Sequence, residues 1–232
     1  MTSASTLTSQ CVGYPGKRTL DWVGALALIV LTAPVMLGVA LAIRWGSPGP
    51  VLFRQRRIGL AGQPFECLKF RTMTHGSSDE AHREFTKRWM TPPSTDDSQT
   101  VETTRAPSAA SSPPLYKLHE DRRVTPIGRW LRRTSLDELP QLFNILQGHM
   151  SLVGPRPALP YEVEQYQPWH TTRFSRAKPG LTGWWQVYGR GQVCFDEMVR
   201  MDLLYLQRCS LATDLRLLWL TAGVVCRGVG AA

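Results

Sequence analysis

Apolar positions along this chain fall into one long unbroken block and then into short periodic runs. Trp22 to Ile43 is 22 residues without a charge. As a helix it would reach about 33 Å, enough for a membrane core of about 30 Å. Pro34 sits in its middle, where proline removes a helix hydrogen bond and crowds the preceding turn. Both flanks are cationic, with Lys17 and Arg18 before and Arg44, Arg54, Arg56 and Arg57 after. A straight span would carry one of those clusters across the membrane, against the positive-inside rule. A helix that enters, bends at Pro34 and returns keeps both on one face. A kinked transmembrane helix is the competing reading, because such helices tolerate proline. The block is longer than a secretory apolar region of about 7–15 residues and no small-residue cleavage site follows it, so it is expected to be retained.

The shorter runs predict a mixed domain. Ser47-Pro48-Gly49-Pro50 marks a turn. Val51-Leu52-Phe53 and the alternating Phe65 to Phe70 read as two strands joined by a turn at Gly59 to Gly62. Glu80 to Met90 reads as a short helix. Thr91 to Pro114 is dense in Pro, Ser, Thr and Ala and reads as a flexible insertion. Thr125-Pro126 is an N-cap and first-turn proline, opening a helix with Ile127, Trp130 and Leu131 on one stripe. A further helix carries Leu139, Leu142, Phe143 and Leu146 and stops at Gly148. Its expected start is Asp137 as N-cap, which leaves Pro140 in the first turn; Ser135 as N-cap would put Pro140 too deep. Beyond it, Tyr161 to Tyr166 reads as a helix ended by Pro168, Lys178 to Gly183 as a turn, and Trp184 to Tyr188 as a strand. Phe195 to Gln207 and Asp214 to Val225 read as helices, the last too short to span a membrane.

Charge narrows the partners. The 232-residue chain carries a net charge of +9 with 43% hydrophobic residues, so it is not a disordered protein and has an anionic partner. Nucleic acid, anionic lipid and a phosphorylated substrate all fit the charge; the membrane block favours the last two. The cysteines Cys11, Cys67, Cys194, Cys209 and Cys226 show no metal-ligand spacing and are expected as reduced thiols. Trp184 and Trp185 are expected in the core or at the membrane interface. No P-loop, dinucleotide-binding glycine motif, nucleophile elbow or zinc spacing occurs.

Candidate chemistry centres on Arg132-Arg133-Thr134-Ser135-Leu136-Asp137-Glu138. Adjacent carboxylates repel, which pushes their pKa values apart. One carboxylate can attack phosphorus and the other can hold Mg2+ against a diphosphate. The plainer reading has Asp137 capping a helix and Glu138 complementing its dipole. Arg129, Arg132, Arg133 and Arg156, the last between Pro155 and Pro157, offer planar forks for phosphate oxygens, or else form a basic surface for anionic lipid. Lys69 and Arg71, at a strand end, face either a phosphate or solvent. Asp202 and Asp214 either assist the site or pair with basic residues. His149 and His170 have no partner at ligand spacing.

The ordered segments Lys17-Arg18…Asp21, Ser47-Pro48-Gly49-Pro50, Lys69-Phe70-Arg71-Thr72-Met73, Arg132 to Gln141, Met150 to Pro157 and Lys178 to Gly183 resemble those of the bacterial sugar transferases, the monotopic phosphoglycosyl transferases. The resemblance covers about residues 17–225. It implies an α+β, mostly helical monotopic membrane protein: a tail over 1–16, a re-entrant helix–break–helix over 17–50 with the break at Pro34, and a transferase domain over 51–232 with its insertion at 91–114. It implies transfer of sugar-1-phosphate from a UDP-sugar to a polyprenyl (undecaprenyl) phosphate with release of UMP, starting exopolysaccharide, O-antigen or glycan assembly. Asp137 would be the nucleophile and Glu138, with Asp137, would hold Mg2+. Lys69, Arg71, Arg132, Arg133, Pro155, Arg156 and Pro157 would bind substrate phosphate and nucleotide. The implied setting is the cytoplasmic face of the bacterial inner membrane, with no nucleic acid partner and a homodimer as one option for assembly. The chain reads as the short form, without extra N-terminal helices. His149 stands where the family pattern leads one to expect an acid, and the insertion is longer than expected. A non-catalytic basic scaffold at the membrane surface is the alternative function, and the intact Asp137-Glu138 pair argues against it.

Overall fold

The structure is a computed structural model, and it describes residues 13–74, 76, 80–90, 123–189 and 193–227. The expected tail over 1–16 lies mostly, and the insertion over 91–114 wholly, outside the described residues.

The apolar block forms α1 (Lys17–Gly46), which is 30 residues long and apolar enough to cross a membrane. Pro34 lies inside this helix, which continues through it instead of dividing into the two helices expected around a break. Proline withholds only the N–H that the Val30 carbonyl would have accepted, and neighbouring turns carry the helix across. Two residues before it, the Thr32 hydroxyl donates to the Leu28 carbonyl at 2.7 Å, a back-bond that favours bending.

The first turns of α1 are bolted to the rest of the protein. Lys17 donates to the Val153 carbonyl and to Asp214 at 2.7 Å. Arg18 donates to the carbonyls of Ile145 and Leu146, and Asp21 accepts from Ser151 Oγ and the Leu152 N–H, both at 2.9 Å. The basic pair read as a membrane flank is therefore also an anchor. A side chain at Gly24 would meet Leu152 Cδ1 at 2.7 Å, so glycine permits this close approach. The far turns pack too: Val39 and Ile43 share a cluster with Phe70 and Leu131. Between them Val30 and Leu31 are 68% and 74% exposed, so the middle of α1 leaves the body that both ends touch.

Strands β1 (Leu52–Ile58) and β2 (Pro64–Phe70) pair antiparallel, with Phe53 opposite Lys69 and Arg57 opposite Phe65. The connection is a 3-10 turn over Leu60–Gly62, where the sequence predicts a turn. Helix α2 spans Glu80–Met90, as expected. Helix α3 (Pro126–Thr134) opens as expected, with Thr125 Oγ1 accepting from the Gly128 N–H at 3.0 Å. A side chain at Gly128 would lie 2.0 Å from the Thr72 carbonyl oxygen, so α3 sits directly on the end of β2.

Helix α4 (Gln141–Gln147) ends at Gly148, whose φ is 89°, as expected. Its start differs. Ser135 adopts a left-handed φ of 57°, a 3-10 turn covers Leu136–Glu138, and Pro140 stands at the N-cap position. Neither Ser135 nor Asp137 caps α4. Asn144 fixes α4 to β2 by accepting from the Leu68 N–H at 2.9 Å and donating to the Glu66 carbonyl at 2.7 Å. Being fully buried, this amide must find both partners.

The motif pair Met150 to Pro157 and Lys178 to Gly183 forms one unit. Strand β3 (Ser151–Val153) pairs parallel with β4 (Gly180–Thr182), which replaces the expected turn. Gly154 and Gly180 allow their backbones to touch: a side chain at Gly180 would meet Gly154 N at 2.1 Å. Helix α5 covers Pro160–Val163, and Pro168 starts α6 (Pro168–Ser175) where it was expected to end a helix. Proline is equally at home in a first turn.

Trp184–Tyr188 is helix α7, not a strand. Trp185 faces one core cluster while Trp184 and Val187, three apart, face another, which is helical spacing. Both tryptophans thus belong to the core. Helices α8 (Phe195–Arg208) and α9 (Leu211–Arg227) close the domain. Cys67, Cys194 and Cys209 are free thiols, as expected. The described residues form an α+β fold, mainly helical, with two small two-stranded sheets.

Candidate active site

The end of β2, the end of α3 and the 3-10 turn before α4 meet at one place. Asn144 holds α4 against β2, and Thr72 receives α3: its carbonyl accepts from the Thr125 N–H and its hydroxyl accepts from Arg132 Nε at 2.9 Å. The result puts Lys69 against the acidic pair. Lys69 Nζ lies 2.7 Å from Glu138 Oε1, with both side chains partly exposed.

Asp137 is nearly buried, and no side-chain capping bond to α4 uses its carboxyl. Burial pushes its pKa up to about 6; Lys69 and Arg132 draw it down and Glu138 raises it. For Lys69, burial works against the charge, but Glu138 and then Asp137 outweigh it, so its pKa is raised and it stays cationic. A carboxylate at the border of ionisation, between a lysine and a second carboxylate, can attack an electrophile above pH 6. Ser135, two residues before it, adopts the left-handed conformation that ends α3, its N–H donating to the carbonyls of Arg132 and Leu131.

Two hard carboxylates on one turn also suit a divalent cation. No group of three His, Cys, Asp or Glu gathers among the described residues.

The other sequence candidates divide. Lys69 and Arg132 join the dyad, and Arg133 stays exposed on α3. Arg71 does not join it. Its guanidinium donates to Ser47 O, Ser47 Oγ and Pro48 O, tying β2 to the end of α1. Arg156 is buried and gives both terminal nitrogens to Glu162, at 2.9 and 3.0 Å. Pro155 is buried beside it, and the Pro157 carbonyl accepts from Arg57 at 2.8 Å. These residues build the wall of the domain. Asp202 pairs with Arg173 at 2.8 Å and Asp214 with Lys17, so neither is a member of the dyad cluster.

Arg57 and Glu162 are neighbours of these candidates that do not stand out in the sequence. Arg57 acts electrostatically on both Lys69 and Glu162, so it lies between the dyad and the Arg156 pair. The signal was present: Arg57 and Lys69 occupy the same face of the β1–β2 ribbon by strand alternation. Glu162 lies in a helix too short to stand out.

Residues 12–228 match the family described as bacterial sugar transferase. The chain belongs to that family. Among its members, the exopolysaccharide production protein ExoY of Rhizobium meliloti (strain 1021) is 39% identical over 219 residues, covering 94% of this chain and 89% of the relative. The UDP-glucose:undecaprenyl-phosphate glucose-1-phosphate transferase of Caulobacter vibrioides is 42% identical over 209 residues, covering 87% and 66%. The undecaprenyl-phosphate galactose phosphotransferase of Salmonella typhimurium is 38% identical over 216 residues, covering 93% of this chain and 41% of the relative. The chain thus spans about two fifths of that last sugar transferase.

Proposed function

We propose that this sugar transferase moves a sugar-1-phosphate from a UDP-sugar to undecaprenyl phosphate in two steps. The observation that carries the reading is the uncapped, nearly buried Asp137, with its pKa near 6, beside Lys69 and Glu138. In the first step an Asp137 carboxylate oxygen attacks the β-phosphorus. The bond from that phosphorus to the bridging oxygen breaks, and UMP leaves with the oxygen. In the second, an oxygen of undecaprenyl phosphate attacks the same phosphorus and Asp137 is released as carboxylate. The product is an undecaprenyl diphosphate sugar that would begin exopolysaccharide or related glycan assembly. Lys69 and Arg132 would hold the diphosphate, and Arg133 is placed to meet an anion arriving from the exposed side of α3. Magnesium held by Glu138, with Asp137 beside it, would neutralise the diphosphate.

The packing of α1 supports a membrane arrangement for this reaction. Its first turns and its last turns grip the same body, while Val30 and Leu31 between them are exposed. That supports a helix that dips into one leaflet, bends near Pro34 and returns, with both basic flanks on the cytoplasmic face of the inner membrane. Detergent-solubilised protein with magnesium, undecaprenyl phosphate and a panel of UDP-sugars should release UMP from one donor in an acceptor-dependent manner. Release from none, by folded protein, would overturn the reading.

A further inference from the structure

Between α1 and α3 lies an apolar groove that the two steps above do not use. Val35, Gly38, Val39 and Ala42 of α1 form one wall, and Ile127 and Trp130 of α3 the other. None of the six carries a charge, and the groove holds about 290 Å³. Its position ties it to the chemistry. Val39 and Ile127 belong to the packed cluster that also contains Leu136 and Leu139, the residues that bracket Asp137 and Glu138.

Along α3 the surface changes character in order. Ile127 and Trp130 are apolar, and Trp130 is half exposed. Arg133 follows Trp130 by three positions, a helical neighbour, and is exposed. The acidic pair comes next. Apolar wall and cation therefore succeed one another within a nine-residue helix, about 13 Å of rise, and the acidic pair follows on the 3-10 turn after it. This order complements an amphiphile with an uncharged hydrocarbon tail and a terminal phosphate. The α1 wall is part of the membrane helix, so such a tail can enter the groove without crossing water.

We propose that this groove seats the head-proximal part of the polyprenyl tail of the acceptor lipid and so guides its phosphate past Arg133 to Asp137. The proposal rests on the reading of undecaprenyl phosphate as the acceptor. It commits to that tail over phospholipid chains or a second copy of the protein, because only the acceptor's phosphate has to reach the dyad.

Gly38 gives the cleanest probe. A side chain there meets nothing within 4 Å, so leucine would fill the groove without displacing the protein, and it also favours helix. In full-length Gly38→Leu, the KM for undecaprenyl phosphate should rise by about tenfold or more, as expected for lost apolar contact. The UMP burst with donor alone and the KM for dimethylallyl phosphate, which lacks a long tail, should each stay within about twofold. Trp130→Ala should act in the same direction. A second readout needs no turnover: a diazirine-bearing polyprenyl phosphate should crosslink to residues 35–42 and 127–130. Undecaprenyl phosphate should compete with it and phosphatidylglycerol should not.

Unchanged KM for the long acceptor in Gly38→Leu overturns the proposal, even if bound phospholipid or oligomeric state changes. Crosslinks elsewhere, or equal competition by phospholipid, also overturn it. Groove crosslinks without any donor burst in the wild type would leave the groove standing and refute the transfer reaction instead.

Discussion

Two acidic residues of this protein, each set against a basic partner, behave in opposite ways. Glu162 is completely buried, yet its pKa is held at about 2: burial raises it, but the Arg156 guanidinium, with two parallel hydrogen bonds, prevails, helped by Arg57 and the Leu159 N–H. Asp137 is slightly less buried, yet its pKa rises to about 6: burial raises it and Glu138 adds to that, while Lys69, bonded to Glu138, and Arg132, bonded to Thr72, offset the rise only in part. A carboxylate with a dedicated fork is structural. One whose cations have other commitments stays reactive and receptive to a further positive or electrophilic centre. The contrast separates the wall of the domain from its candidate site more sharply than charge counts do.

The largest expected effect breaks the reactive half. Asp137→Asn should lower transfer by at least about 10⁴-fold in a UMP-release assay, since an amide cannot replace the carboxylate nucleophile. Next comes the structural half. Glu162→Gln leaves the Arg156 charge buried without its counter-ion and should cost about 3–5 kcal/mol, read as a lowered denaturation midpoint at neutral pH.

The same Asp137→Asn variant should be more stable than wild type above pH 6, by about 1–3 kcal/mol. The sign follows from the raised pKa. The folded protein holds a proton on Asp137 between its ordinary value of 3.8 and about 6, where the unfolded chain has lost it. Stability from this residue is therefore full below about pH 4 and is lost as pH rises through 6. Glu162 has the reverse sign: its contribution is full above its ordinary value of 4.5 and is lost as pH falls through about 2. Opposite slopes in denaturation midpoints against pH, each removed by its own variant, would sharpen the comparison. The smallest effect is a control. Arg54 and Glu66 lie 3.3 Å apart with both side chains about two-thirds exposed. Arg54→Ala should change stability by no more than about 0.5 kcal/mol.

Much of this was legible in the chain. The long apolar helix, the β1–β2 ribbon, the Thr125 cap and the Gly148 stop follow from local rules, because each needs only near neighbours. The pairing of β3 with β4 was hidden, because it depends on glycines 26 residues apart, Gly154 and Gly180, meeting in space. Asp137 and Glu138 stood out as adjacent acids, but a cap and a reactive pair share the same letters. Only the 3-10 turn and the displaced start of α4 remove the capping role. The partners of Arg71 and Arg156 are hidden in the chain for a related reason. An arginine beside a motif has the same fork whether it faces a phosphate or a buried partner, and Ser47 and Glu162 are too distant or too inconspicuous in sequence to betray which.

The central claim is that Asp137 itself takes up the phosphosugar. The direct measurement is incubation of the purified protein with magnesium and a UDP-sugar labelled in the β-phosphate, without acceptor, followed by proteolysis and mass spectrometry. Label and the added mass of a phosphosugar should appear on the peptide containing Asp137, vanish on addition of undecaprenyl phosphate, and be absent from Asp137→Asn. Acceptor-dependent UMP release with no labelled protein, or label on another residue that persists in Asp137→Asn, would contradict the account.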